Sequence, residues 1–192
     1  MMRLDELEGP IKWAKIGIEV KKSENILSTR GIYIIKCPSP LPHAPLEDKL
    51  IETWITGAGL FECDKLTLEN SSLKYMVTSV RSYLDSFWIP SETVLYIGKA
   101  SNSNTIGKRL NAFWHHELGR KGPHRGGHWL KTLSNLNDLD VFWYASLNPE
   151  DEEKNCLTKF AEKNLKNLIP FANLVDGYGK RKQTKLRRTV IR

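Results

Sequence analysis

The sequence predicts an α/β domain, and three observations lead there. Residues 31–36 (GIYIIK), 93–98 (TVLYIG) and 139–146 (LDVFWYAS) are short runs rich in β-branched and aromatic side chains, as buried strands are. The stretches around them repeat apolar residues at helical spacing. With 192 residues, 40% of them apolar and 27% charged, the chain is long enough and apolar enough to bury a core.

Taken in order, residues 12–21 (KWAKIGIEVK) partly alternate and are read as a strand or short arm. After strand 31–36, the proline-rich CPSPLPHAP (37–45) breaks regular structure. Leu46, Leu50, Ile51, Trp54 and Ile55 then share a helical face that Gly57 can end. Ser71 or Ser72 caps a second helix with Leu73, Met76, Val77, Val80 and Leu84 as its stripe, and Pro90 stops it. Past strand 93–98, Thr105 caps a helix whose apolar face is Ile106, Leu110, Phe113, Trp114 and Leu118. Residues 119–128 (GRKGPHRGGH) read as a flexible basic loop, followed by a short helix around 128–135 and strand 139–146. Asn148-Pro149 opens the last helix, with Glu150, Asp151, Glu152 and Glu153 in its positive first turn. Its stripe is Leu157, Phe160, Ala161, Leu165 and Leu168, and it ends before Pro170.

The charge is unevenly placed. The formal net charge is +7, yet residues 180–192 hold seven Lys/Arg and no acid, which leaves 22 basic against 22 acidic residues in 1–179. The expected organisation is therefore one domain, 1–179, and a basic tail whose Lys180, Arg181, Lys182, Lys185, Arg187 and Arg188 suit a polyanion. Cys37, Cys63 and Cys156 are widely scattered, which suits reduced thiols in a cytoplasm and not a disulfide framework. No run is long and apolar enough to span a membrane, and the first residues carry charges of both signs, unlike a secretory signal.

GIY at 31–33 followed by YIG at 96–98 resembles the GIY-YIG nuclease family, and the likeness continues downstream. GKRL (107–110) opens a helix with Arg109 near its start, a strand follows at 139–146, then a helix holding Glu162, and last PFAN, ending in Asn173. The resemblance covers 31–36 and about 93–175. It implies a small central three-stranded antiparallel sheet flanked by helices, here with a helical insertion, 37–92, between the first two core strands. It implies a Mg²⁺- or Mn²⁺-dependent endonuclease acting on double-stranded DNA, with a homodimer allowed. Stand-alone members of this size resemble restriction endonucleases, hence a sequence-specific cutter. A structure-specific repair nuclease and a catalytically inactive nucleic-acid-binding module are the alternatives.

Each station has a chemical rationale. Phosphodiester hydrolysis needs an activated water, charge neutralisation at phosphorus and a divalent cation. The resemblance gives Tyr33 the role of general base and Tyr96 that of orienting it, with the reverse assignment open. Gly31 and Gly98 belong to the same tripeptides. The segment YIGKA is similar to the excision-repair branch of the family, which implies Lys99 as a site residue. Arg109 lies about 105° from the centre of its helix's apolar stripe, an edge position suited to bidentate phosphate contact. Glu162 lies about 120° from its own stripe's centre, and one carboxylate with waters and phosphate oxygens is how Mg²⁺ is usually held. Asn173 is expected to pin the chain after Pro170.

One departure concerns the His or Tyr the family often has four residues after the Arg, where this chain has Phe113. His116, on Arg109's face two turns on, is the expected substitute. The run containing His115, His116, His124 and His128 has no accompanying Cys, and its glycines argue against a rigid metal site. It is read as a DNA-contacting segment, with Arg125 among its contacts.

Overall fold

The computed structural model describes residues 14–17, 28–57, 72–120, 125–164 and 168–174. Its strands are β1 (Ala14–Gly17), β2 (Gly31–Lys36), β3 (Val94–Ala100) and β4 (Asp140–Ala145). Its helices are α1 (Asp48–Thr56), α2 (Leu73–Asp85), α3 (Ile106–His115), α4 (Arg125–Leu130) and α5 (Pro149–Lys163), with a 3₁₀ turn at Leu136–Asp138. The fold is α/β. All pairings are antiparallel and the strand order is β1-β4-β2-β3.

The apolar run 31–35 becomes the central strand because it can bury both faces, and all five residues are buried. On one face Tyr33 and Ile35 join Leu95, Ile106, Leu110 and Phe113 in a core that also takes in Ile51, Trp54, Val80 and Leu84 of the 37–92 segment. On the other face Ile32, Ile34, Val94 and Ile97 meet Cys156, Leu157 and Phe160 of α5. The sheet is thus sandwiched, α3 and the 37–92 helices on one side and α5 on the other. An aromatic cluster of Tyr83, Phe87, Trp129 and Phe171, with ring centroids 4.9–5.8 Å apart, ties α2 to α4 and to the chain after α5. Among the described residues no helix is long and apolar enough to cross a membrane.

Several boundaries differ from the sequence expectation, each for a local reason. The three expected strands gain a fourth at the edge, β1, inside the 12–21 segment. The strand expected at 93–98 runs on to Ala100, because Lys99 and Ala100 still find partners in Ile32 and Gly31. α4 begins at Arg125, inside the expected loop 119–128, and the chain turns after Leu130 once Trp129 and Leu130 are buried. α5 stops at Lys163, where the Asn164 side chain bonds back to the Phe160 carbonyl at 2.8 Å, and so does not continue to Pro170. The caps at Ser72 and Thr105 form as the sequence suggests, accepting from the Tyr75 and Lys108 amides.

Candidate active site

Tyr33 on β2 lies opposite Gly98 on β3, and Tyr96 opposite Ile35, so both tyrosines stand on the α3 face of the sheet. Their rings are 5.8 Å apart, tilted by 37°. Gly98 makes this possible. A Cβ there would lie 2.8 Å from the Tyr33 hydroxyl and would collide with the Tyr96 ring, so any side chain would expel the pair. Gly31 serves the opposite neighbour, since a Cβ there would run into the Tyr144 carbonyl of β4. The two glycines of the tripeptides are thus both explained by close approach.

Arg109 stands in the first turn of α3, its amide bonded to the Thr105 carbonyl at 2.9 Å. Its guanidinium reaches the Tyr33 hydroxyl, which is hydrogen-bonded to both Arg109 and Tyr96. Burial raises the Tyr33 pKa, while Arg109 and both hydrogen bonds pull it down. Burial and Tyr33 itself push Tyr96 well above the ordinary phenol range. The bond between the two phenols favours the ionised form of Tyr33 and disfavours that of Tyr96. Tyr33 is raised above the ordinary phenol range and Tyr96 is raised further, so Tyr33 is the phenol better prepared to lose its proton. Arg109 Nε is buried with no acceptor among the described residues. An orphaned guanidinium donor beside a phenol is where an anionic oxygen would be welcome.

The carboxylate whose charge is felt at this pair is Glu153, on the opposite, α5 side of the sheet. Its Oε2 is 3.0 Å from Lys99 Nζ, and its charge opposes ionisation of both tyrosines. Glu162, the residue expected in this role, is exposed near the C-terminal end of α5. Pro149, Cys156, Leu157 and Phe160 define the buried stripe of α5. Glu153 falls about 20° from its centre and Glu162 about 160° away, counting 100° per residue. Extending the stripe back one turn from Leu157 would have found Glu153.

The remaining expected residues divide. Lys99, opposite Ile32 on β2, stands on the α5 face of the sheet, half-buried in its ion pair with Glu153. Asn173 is structural: its side chain accepts from the Ile97 amide at 2.9 Å and donates to the Ile97 carbonyl at 2.7 Å, acting as a substitute strand on the outer edge of β3. His116 is not brought to the tyrosines. It caps the far end of α3, its Nε2 2.9 Å from Nε2 of His128. Lys131 donates to the carbonyls of Trp114 and His116 there, and its ammonium lies 5.4 Å from the centre of the Phe113 ring. Burial, reinforced by His116 and Lys131, lowers the His128 pKa to about 4; burial and Lys131 also lower that of His116. Phe113 is buried packing. Arg125 opens α4. Lys180, Arg181, Lys182, Lys185, Arg187 and Arg188, with His124, lie outside the described residues.

Among the described residues no three His, Cys, Asp or Glu side chains converge on a metal position. Mg²⁺ does not require that, since it keeps several waters and uses one or two carboxylates with substrate oxygens. Glu153, half-buried and paired with Lys99, is a carboxylate of the kind such a role uses. No protein-family model, curated protein or solved structure matches the chain.

Proposed function

We propose that the site is that of a divalent-metal-dependent phosphodiesterase. More particularly, we read the chain as a DNA endonuclease of the GIY-YIG type, cutting double-stranded DNA in the sequence-specific manner of a restriction enzyme. One observation carries the reading: the Tyr33 hydroxyl lies between a second phenol and a guanidinium with a donor to spare, in the space Gly98 leaves empty.

In this reading Tyr33, as phenolate, takes a proton from water; the water oxygen attacks phosphorus, and the P–O bond to the leaving oxygen breaks. Tyr96 orients Tyr33 and stabilises its charge through the donated hydrogen bond. Arg109 spends its unpartnered Nε on a phosphate oxygen, where charge grows in the transition state. Glu153, not Glu162, would hold Mg²⁺ or Mn²⁺, with Lys99 released from its ion pair toward phosphate. The metal supplies charge neutralisation at the phosphate. With its charge so engaged, Glu153 no longer opposes the Tyr33 phenolate.

The test is direct. Purified protein with supercoiled plasmid and Mg²⁺ should nick or linearise it, and sequencing the ends should show a shared motif. Tyr33→Phe should slow single-turnover cleavage by about 10²–10⁴-fold, the usual worth of a general base. A wild type that binds plasmid without cutting it would favour the inactive nucleic-acid-binding module; scattered ends without a motif would favour the structure-specific alternative.

A further inference from the structure

Leu147 is the one large apolar side chain among the described residues that is essentially bare, 99% exposed, against 37% for Leu73 and 54% for Tyr75. Its backbone is held tightly. Ser146 N donates to the Arg30 carbonyl at 3.0 Å, Asn148 N donates to Ser146 Oγ at 3.0 Å, and Pro149 is buried at the first position of α5. A leucine fixed in water on a pinned three-residue connection is not loose packing.

Its place in the fold gives it a use. Gly31 pairs with Ala100 on one side and Ala145 on the other, so β2 begins where β3 and β4 end. α3 starts at that same end, its Ile106 amide bonded to the Thr29 carbonyl at 2.8 Å, and carries Arg109 in its first turn. α5 starts there too, with Glu153 one turn in. The N-terminus of α3, which favours phosphate, and exposed Arg30 and Lys108 lie on this rim, while the N-terminus of α5 is met by its own acids, Glu150 to Glu153. Tyr33, however, is only 2% exposed. The phosphate of an undistorted duplex lies on a smooth cylinder and does not reach a hydroxyl sunk below the surface.

We propose that Leu147 is a wedge: it enters a base step beside the scissile phosphate, unstacks it, and bends the strand down onto Tyr33 and Arg109. Apolar side chains inserted between base pairs kink duplexes in this way. The proposal rests on the endonuclease reading and adds to it the residue that deforms the substrate.

The experiment uses the full chain, Leu147→Ala and Leu147→Met, on a short duplex spanning a mapped cut site, with 2-aminopurine at the step flanking the cut. Wild type and Leu147→Met should raise the 2-aminopurine fluorescence on binding in Ca²⁺, and Leu147→Ala should not. In Mg²⁺, Leu147→Ala should cut about tenfold or more slowly. A mismatch at the flanking step, which removes the need to unstack it, should restore the Leu147→Ala rate toward wild type. Equal fluorescence and equal rates for Leu147→Ala overturn the wedge and leave Leu147 as a contact for another protein. A slow Leu147→Ala that the mismatch does not rescue overturns it as well. A wild type that cuts no duplex defeats the endonuclease reading itself, and the wedge falls with it.

Discussion

At its N-terminal end α3 turns Arg109 toward two tyrosines; at its C-terminal end it is closed by His116, His128 and Lys131. Both ends bury polar groups against the same apolar core, but they satisfy them differently. Lys131 spends its protons on the Trp114 and His116 carbonyls, which the end of the helix leaves without amides, and the two imidazoles bond to each other. Only the His128 Nδ1 is left over. At the other end the Arg109 Nε has no acceptor among the described residues, and Glu153 pairs with Lys99. The C-terminal cluster is closed on itself and its work is stability. The N-terminal one leaves a buried donor open, and in the reading proposed above an anion completes it. Substitutions at the two ends should therefore fail in different assays.

The largest effect is expected from Glu153→Gln. It should reduce cleavage by about a thousandfold or more while DNA affinity stays within a few fold, because the loss falls on the transition state and not on the phosphate contacts that dominate binding. Glu162→Gln should cut like wild type. Nicking at matched Mg²⁺ decides between them; the opposite result would return the metal to Glu162.

Within the tyrosine pair, Tyr33→Phe should be the worse lesion, and Tyr96→Phe should cost less because it removes only the hydrogen bond that steadies the phenolate, slowing cleavage about 10- to 100-fold. Both variants should keep the wild-type melting temperature within a few degrees. Single-turnover rates give the order. A more damaging Tyr96→Phe would exchange the two roles.

What the sequence could and could not convey follows from the kind of signal. The strands, the tyrosines and Arg109 were legible because period-2 and 3.6-residue patterns fix which face a side chain takes, and the glycines mark where rings must pass. Glu153 was hidden in plain sight. It is the last of four consecutive acids that a helix N-terminus accounts for by its dipole alone, and only the buried stripe carried back one turn from Leu157 sets it apart. The stripe drawn for α5 also took in Leu168, beyond the helix end at Lys163, and Leu165, outside the described residues, which swung its centre toward Glu162. α4 was expected a few residues late, around 128–135, because its placement depends on Trp129 packing against Tyr83, Phe87 and Phe171, contacts made across the chain that no local pattern encodes. The His116–His128 pair spans twelve residues with no period at all.

That pair gives the smallest effect and the one that sharpens the contrast most, because it belongs to stability and titrates alone. His128 resists protonation until about pH 4, whereas in the unfolded chain it takes a proton near its ordinary 6.5. The unfolded state thus binds more protons between these values, and stability rises with pH across the window. It is fully present above about 6.5 and is lost progressively as pH falls toward about 4, at about 1.4 kcal/mol per unit of depression. The same burial that lowers His116 adds to the slope in the same direction. The tyrosines, whose pKa values are raised, add nothing in this range. Glu150, with its pKa below the usual 4.5, acts with the same sign but only at the acid end of the window. Urea unfolding at pH 7 and pH 5 should show wild type losing about 2 kcal/mol between them, and His128→Gln, which keeps a polar group of similar reach but cannot titrate, losing much less. Equal losses in the two proteins would mean that the charge sensitivity lies elsewhere, and that the C-terminal end of α3 is not the acid-labile half of the molecule.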